Sequence, residues 1–368
     1  MAVTNFARLT PQQKIVWSRD VWSAARDQMF IKKFLGTGDT AMIQRITELT
    51  RTEKGEQVLM HLVADLVEDG VIGDDEREGN EEEMMSYAQV INIDLISHQV
   101  RNKGKMADQK TVINFREMAK SRLAYWLSNR CDQLALLTLS GISYAFHNDG
   151  RPRTGSPFPN LSFAADVSAP SSKRHRLWNG TSLAAGDTTA VTTDCAASYK
   201  MVVDAVAYAK TNYIKPLMAG GKEYYVLLVQ PGTLAQLKKD PDYQRAVTSV
   251  AGKDGVKSPW FTGGTVTIDG VVIHEHRLVY STNGAASGSK WGSDGTINGT
   301  RALLCGAQAL GMADLGTPEW VEKKFDYDSK HGVSVDKMLG FLKPKFYSIY
   351  NRSVEDFGVL AIDLWLGL

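Results

Sequence analysis

A stretch with no helix breaker sets the strongest limit on how this chain folds. From Ala107 to Ser140 there is neither glycine nor proline, and Val112, Phe115, Ala119, Leu123, Trp126, Leu127, Cys131 and Leu134 recur at steps of three and four. That spacing predicts one helix within Met106–Gly141, with Asp108 as its cap and Gly141 as its stop. Its 34 unbroken residues, at about 1.5 Å each, make a rod on the order of 50 Å. The later part, with Leu134, Ala135, Leu136, Leu137 and Leu139, is apolar on more than one side. A long internal helix of that kind is a spine laid under the chain's own sheets.

At 368 residues the chain can bury a sizeable core and is long enough for two or three domains. A net charge of +1 gives no global pull toward nucleic acid or an anionic membrane. No run of 18 apolar residues occurs, and the leading MAVTNFARLTPQQ has no signal-peptide core, so the expectation is a soluble protein made in a cytoplasm, with no membrane partner. Cys131, Cys195 and Cys305 are widely separated, which suggests neither a disulfide framework nor a thiolate zinc site and reads as three buried side chains.

Residues 1–54 hold nine Lys or Arg against five acids. The apolar residues of this basic arm fit a helix of about five turns, from Pro11 to a stop near Gly36, that carries Trp17 and Trp22. Two strands are then expected, one through Val58–Asp65 and one through Val90–Leu95. Between them, ten carboxylates from Asp65 to Glu83 face the single base Arg77. A two-stranded arm of this kind is marginal alone, so something outside it should hold it. Residues 142–193 are rich in Gly, Pro, Ser and Thr and read as a surface excursion that includes the basic run Lys173-Arg174-His175-Arg176 beside Trp178. A second helix is expected over Asp194–Tyr213 with Asp194 as its cap. Further strands are expected at 224–229, 265–268, 271–275 and 301–306, with a short helix after Pro231 and three closing strands. Sheets packed on two long helices make an α+β protein.

No phosphate-binding glycine loop, no G-x-S-x-G and no H-E-x-x-H is present. His274 and His276 share one face of a strand but lack a third ligand nearby in sequence, so no metal is assigned to them. The acidic tip, Asp74, Asp75, Glu76, Glu78, Glu81, Glu82 and Glu83, reads as a solvated or partner-contacting face. A calcium site there is the less favoured alternative, and catalysis less favoured still, because on a projecting loop solvent screens each charge and no pocket shifts a pKa. No catalytic residue, cofactor or metal is expected.

The order of parts resembles the major capsid proteins of tailed double-stranded DNA phages, with the Hong-Kong-97-like fold. Within them, GVIGD at 70–74, EGNEE at 78–82, ALLCGAQA at 302–309 and HGV at 331–333 are similar to the family typified by the phage N4 coat protein. The resemblance implies an N-terminal arm over 1–54 and an extended loop over 55–104. It implies a peripheral domain of 105–221 and 301–368, with spine helix 106–141, and an axial domain of 222–300. It further implies self-assembly as pentamers and hexamers into an icosahedral head around DNA. The expected partners are a separate scaffolding protein, since the extended loop begins too early for a fused one, together with a portal and, as an optional addition, a cement protein.

On these terms the arm and the acidic loop, opposite in charge, contact each other across subunits through Trp17, Trp22, Arg26, Lys32 and Lys33 on one side and the acids of the tip on the other. Lys173, Arg174 and Arg176 are the candidates for facing DNA. An encapsulin-like compartment is the alternative within the fold, and a metal-binding enzyme that uses the acidic loop is the alternative outside it.

Overall fold

A computed structural model of the chain describes residues 29–47, 55, 57–63, 70–73, 77–78, 81, 86–105, 115–251, 266–268, 270–327 and 329–367. A 3-10 turn, Ile31–Phe34, leads into β1 (Leu35–Gly36) and β2 (Ile43–Ile46). The ribbon β3 (Gln57–Val63) and β4 (Ser86–Asn92) follows, then β5 (Asp94–Arg101) and the helix α1 (Phe115–Ser140). Strands β6 (His175–Trp178) and β7 (Leu183–Ala185) precede α2 (Tyr199–Thr211). Next come β8 (Leu217–Ala219), β9 (Lys222–Val229), α3 (Pro231–Lys239) and α4 (Pro241–Ala251). The remainder is β10 (Val266–Ile268), β11 (Val271–Glu275), β12 (Gly299–Cys305), β13 (Leu310–Phe325), β14 (Lys330–Leu342), β15 (Lys345–Ser348), β16 (Ser353–Asp356) and β17 (Val359–Trp365).

The spine is where its periodicity put it. Ala119, Leu123, Leu127, Cys131 and Leu134 are buried, every side chain from Cys131 to Ser140 is covered, and Gly141 ends the helix in the left-handed region at φ 67°. Residues 106–114, with the proposed Asp108 cap, lie outside the described residues.

An eight-stranded sheet runs β10-β11-β9-β12-β17-β6-β7, with β8 paired to β9. Both of its faces are buried, and strand alternation divides its side chains between two cores. Val226, Leu228, Leu303, Cys305, Val359 and Ala361 pack toward α1. Tyr225, Leu227, Val229, Leu304, Leu360 and Ile362 pack toward α2, α3 and α4. A five-stranded sheet, β1-β2-β13-β14-β5, packs on the same helix through Met312, Val333, Val335, Leu339 and Phe341. The eight-stranded sheet takes strands from within residues 222–300 and from both sides of that range.

Three expectations are corrected. Residues 142–193 are not a solvated excursion: Tyr144, Phe158, Phe163 and Trp178 are buried there, and the segment supplies β6 and β7. Its period was invisible because it is built from short turns, each anchored by a single aromatic side chain. The second helix begins at Tyr199, not after Asp194; Ser198 Oγ accepts from Met201 N, while the Cys195 carbonyl is committed to Trp365 N at 2.9 Å. The described end of the arm is not α-helical either. Asp132 on the spine accepts from Phe30 N at 3.0 Å and Ile31 N at 3.1 Å, the chain makes one 3-10 turn, and β1 pairs in parallel with β2. Burial pushes the Asp132 carboxyl up to about 6, with those two backbone N–H groups opposing the rise.

The ribbon β3–β4 is held by its own subunit. Val58, Met60, Leu62 and Ile91 form a small core with Ile46, Ala313 and Leu342. Gly340 and Gly311 make that contact possible, since a Cβ on Gly340 would collide with the Asn92 carbonyl oxygen and one on Gly311 with Met60 Sδ. Gly340→Ala is therefore expected to cost about 1–3 kcal/mol, the usual penalty of overpacking. Its signature would be a lower melting temperature with faster amide exchange in β3 and β4. An unchanged melt would mean that the two backbones are not in contact.

Candidate assembly surfaces

The residues singled out from the sequence fall into three groups. Trp17, Trp22, Arg26, Asp74, Asp75, Glu76, Glu82 and Glu83 lie outside the described residues. Lys32, Lys33, Glu78, Glu81 and Lys173 are exposed, with Lys33 Nζ 5.7 Å from the centre of the Phe30 ring. Arg174 and Arg176 are placed otherwise.

Arg174 does not face a DNA backbone. It is fully buried, and its Nη2 lies 2.9 Å from Glu355 Oε2 as an ion pair without hydrogen-bond alignment. Burial lowers its pKa, with the Glu355 charge opposing. The strand that follows explains why a basic run failed to form a patch, because alternate residues of β6 point to opposite faces. His175 turns to Asp363, with Nε2 2.6 Å from Oδ2, and Arg176 lies over the Tyr208 ring, 4.5 Å from its centre, and donates to its hydroxyl.

Two buried charge clusters fix the frame, and neither was found from sequence. Arg301 Nε and Nη2 grip the carboxylate of Asp363 at 2.7 and 3.1 Å, and Nη1 donates to the Ser140 carbonyl at 2.9 Å, tying the end of α1 to β12 and β17. In the other sheet, Asp314 accepts from Arg45 Nε at 2.7 Å and from Lys337 Nζ. Lys337 Nζ also bonds the carbonyls of Leu315 and Gly316, where the β13–β14 register shifts. Burial lowers the Lys337 pKa, against the opposing pull of Asp314.

The surface left over is apolar in places where a lone subunit gains nothing from it. On the ribbon, Leu59 and Val90 are directly opposed cross-strand partners on the outer face, 49% and 40% exposed. The β13–β14 hairpin ends in Asp326 and Tyr327, both in the left-handed region, with Tyr327 fully exposed. Beside β15–β16, exposed Tyr213 and Tyr350 stack at 3.6 Å, next to exposed Ile349, Tyr347 and Val354. Grouped exposed apolar side chains mark interaction surfaces. The ribbon's outer pair had a signal in the sequence: VLMHLV at 58–63 is apolar at both parities, the pattern of a strand covered on two sides.

Among the described residues, no three His, Cys, Asp or Glu side chains gather to hold a metal ion. The His276 ring stacks on Phe30 at 4.2 Å and that of His274 meets Phe34 edge-on at 5.1 Å. Burial, then Arg277 and Lys33, push His276 down to about 4, so it is neutral at pH 7. Among the described residues, no helix is long and apolar enough to cross a membrane.

Residues 5–365 match the family described as phage capsid protein. The major capsid protein of Pseudomonas phage KPP25 is 51% identical over 367 residues, 98% of this chain and 96% of that protein. The chain belongs to the phage capsid protein family. The fold agrees with that membership. The capsid of Ralstonia phage GP4 superposes with a TM-score of 0.77 at 24% identity, covering 100% of this chain and 99% of that one. The capsid asymmetric unit of cyanophage Pam1 gives 0.71 at 18% identity, covering 100% and 96%. The capsid protein thus has the Hong-Kong-97-like α+β fold anticipated from its order of parts, and its role is structural.

Proposed function

We propose that this capsid protein is the major coat subunit of a tailed phage, that it closes as pentamers and hexamers into an icosahedral head around double-stranded DNA, and that it carries out no chemistry of its own. The observation that carries this reading is the 51% identity, over nearly the whole chain, to a protein named as a major capsid protein. The paired Leu59 and Val90 on the outer face of a ribbon already anchored on its inner face support it independently.

In this reading 1–54 is the arm, 55–104 the extended loop, 105–221 with 301–368 the peripheral domain, and 222–300 the axial domain, whose sheet continues into the peripheral strands. Trp17, Trp22, Arg26, Lys32 and Lys33 contact neighbours, as do the acids at 74–76, 78 and 81–83. Exposed ion pairs contribute only about 0.2–1 kcal/mol each, so charge sets orientation while apolar burial supplies most of the affinity. Lys173 remains the exposed candidate for meeting DNA. A scaffolding protein and a portal act in assembly, a cement protein is an optional addition, and the product is the virion shell built in the host cytoplasm.

Electron microscopy with light scattering of the purified chain, with and without a co-expressed scaffold, tests this. Closed shells, or free pentamers and hexamers, are expected. Shells filled with cargo protein and no role in a DNA-containing particle would favour a compartment instead.

A further inference from the structure

A tight hairpin after the spine sets a second arginine against one on α1. Residues 145–153, AFHNDGRPR, close on themselves: Arg153 N donates to the Ala145 carbonyl and His147 N to the Arg151 carbonyl, both at 2.7 Å, and Gly150 makes the turn in the left-handed region at φ 85°. The hairpin is fixed to the body at its tip. Asn148 Nδ2 donates to the Leu278 carbonyl at 2.7 Å and to the Gln133 carbonyl at 3.3 Å, Ser281 N donates to the Asn148 carbonyl at 2.9 Å, and Gly284 N to that of Asp149 at 2.8 Å.

This framework holds Arg153 beside Arg130. Arg130 Nη1 and Arg153 Nη2 both donate to one amide oxygen, Gln133 Oε1, at 2.6 and 3.2 Å. Both guanidinium groups lie over the same Phe158 ring, 5.8 and 5.0 Å from its centre, and Arg153 Nε donates to the Phe146 carbonyl at 3.0 Å. The hairpin's carboxylate, Asp149, holds Arg151 instead, with Oδ2 2.8 Å from Nε and 2.7 Å from Nη2. Among the described residues, neither Arg130 nor Arg153 has an ion-pair partner.

Folding of a lone subunit draws no benefit from this. Burial, and then the charge of Arg130, bring Arg153 down to about 10; burial lowers Arg130 as well. Each guanidinium has five N–H donors. Within the described residues Arg130 spends one on Gln133, and Arg153 spends one there and one on Phe146, so most are left for a ligand. A shared ring and a shared amide have already taken much of the side chains' freedom, so little entropy is left to lose on binding. Two planar forks side by side suit a tetrahedral oxyanion, whose oxygens can meet both, better than a carboxylate, whose two oxygens one fork can occupy. Exposed Phe146 and Arg151, on the same hairpin, border the pair.

We propose that Arg130 and Arg153 form a binding site for a phosphate oxyanion. Its source is either free phosphate or the backbone of duplex DNA, and the second source rests on the shell reading. Phosphorus-31 NMR of inorganic phosphate, titrated with the purified full chain at an ionic strength held constant with chloride, tests the site directly. Saturable broadening is expected, with acetate a poor competitor. R130Q/R153Q should bind about tenfold more weakly or worse, while its melting temperature in phosphate-free buffer holds or rises because two repelling cations are gone. R153Q alone serves if the double variant does not fold. R130K/R153K keeps the charge without the forks and should weaken too, whereas K173Q should bind as wild type does. The second arm titrates two unrelated short duplexes over a range of salt. A salt slope lower by about one in R130Q/R153Q, on both sequences, assigns the backbone as the source, and an unchanged slope beside lost phosphate binding assigns free phosphate.

Wild-type phosphate binding by R130Q/R153Q or by R130K/R153K would overturn the proposal, and so would displacement by acetate at equal concentration. The phosphate arm needs no assembly. A chain that forms no shells yet binds phosphate through this pair would therefore contradict the shell reading alone, and a chain that forms shells and binds no phosphate would contradict this proposal alone.

Discussion

Replacing Arg301 by methionine is expected to cost about 3–5 kcal/mol of folding stability, because it takes from a buried carboxylate the guanidinium that holds both of its oxygens and leaves it only His175. Asp363 is fully buried, Arg301 holds both of its oxygens, and the same guanidinium bonds the Ser140 carbonyl at the end of the spine. One substitution thus detaches the helix terminus from the central strands of the sheet and strands a charge in the core. Denaturant unfolding of the purified subunit should show the midpoint fall, and a loss below about 1 kcal/mol would mean that water reaches Asp363 and the cluster is not closed. The double variant R301M/D363L is expected to recover much of the loss, since an apolar pair of similar volume is often neutral.

The pH dependence has a definite sign. Burial pushes the Asp363 carboxyl up, but the charge of Arg301 and the hydrogen bonds from His175 and Arg301 outweigh it, and the group lies below the ordinary carboxylate range. Its stabilising contribution is therefore present above about pH 4, the unfolded value, and is lost as the pH falls through the lower folded value. R301M should flatten that acid limb.

Deleting residues 66–84 and closing the ribbon with a short glycine-serine turn is expected to abolish shell formation while leaving a folded, soluble subunit. The two outcomes separate because the ribbon is two-faced. Its inner face, Val58, Met60, Leu62 and Ile91, packs on Ile46, Ala313 and Leu342 of the same chain, and the deletion leaves all of these in place. What goes is Arg77 and nine of the loop's ten carboxylates. Each exposed pair is worth only about 0.2–1 kcal/mol, but the loss is repeated at every subunit of a closed shell, where the contacts act together. Sedimentation and electron microscopy would read the result. Shells at wild-type yield from the deletion would sink the role of the loop, and an insoluble chain would contradict the inner-face packing.

The sequence made the parts of this subunit legible where one physical rule governs many residues at once. The spine was readable because its apolar row repeats at helical spacing from Phe115 to Leu134, and the ribbon because two apolar runs flank an acidic segment. The hairpin Val266–Ile268 with Val271–Glu275 followed from Asp269-Gly270 alone, and its register pairs Ile268 with Val271. Single anchors were not readable. Residues 142–193 looked like solvated loop because Tyr144, Phe158, Phe163 and Trp178 sit at irregular intervals between glycines and prolines. Lys173-Arg174-His175-Arg176 looked like a basic patch because local composition cannot say that Glu355 and Asp363 lie waiting across the fold. The Arg301–Asp363 pair was missed for the same reason: its members lie 62 residues apart in the chain, and spatial neighbours are not written in sequence order.

A cryo-electron-microscopy reconstruction of the assembled wild-type particle, at a resolution that traces side chains, tests the central claim most directly. The expected map shows five- and six-fold clusters of this chain in a closed icosahedral shell, with Leu59 and Val90 of each ribbon covered by an adjacent subunit. A map in which the ribbon and its loop touch no neighbour, or a preparation that stays monomeric with and without scaffold, would contradict it.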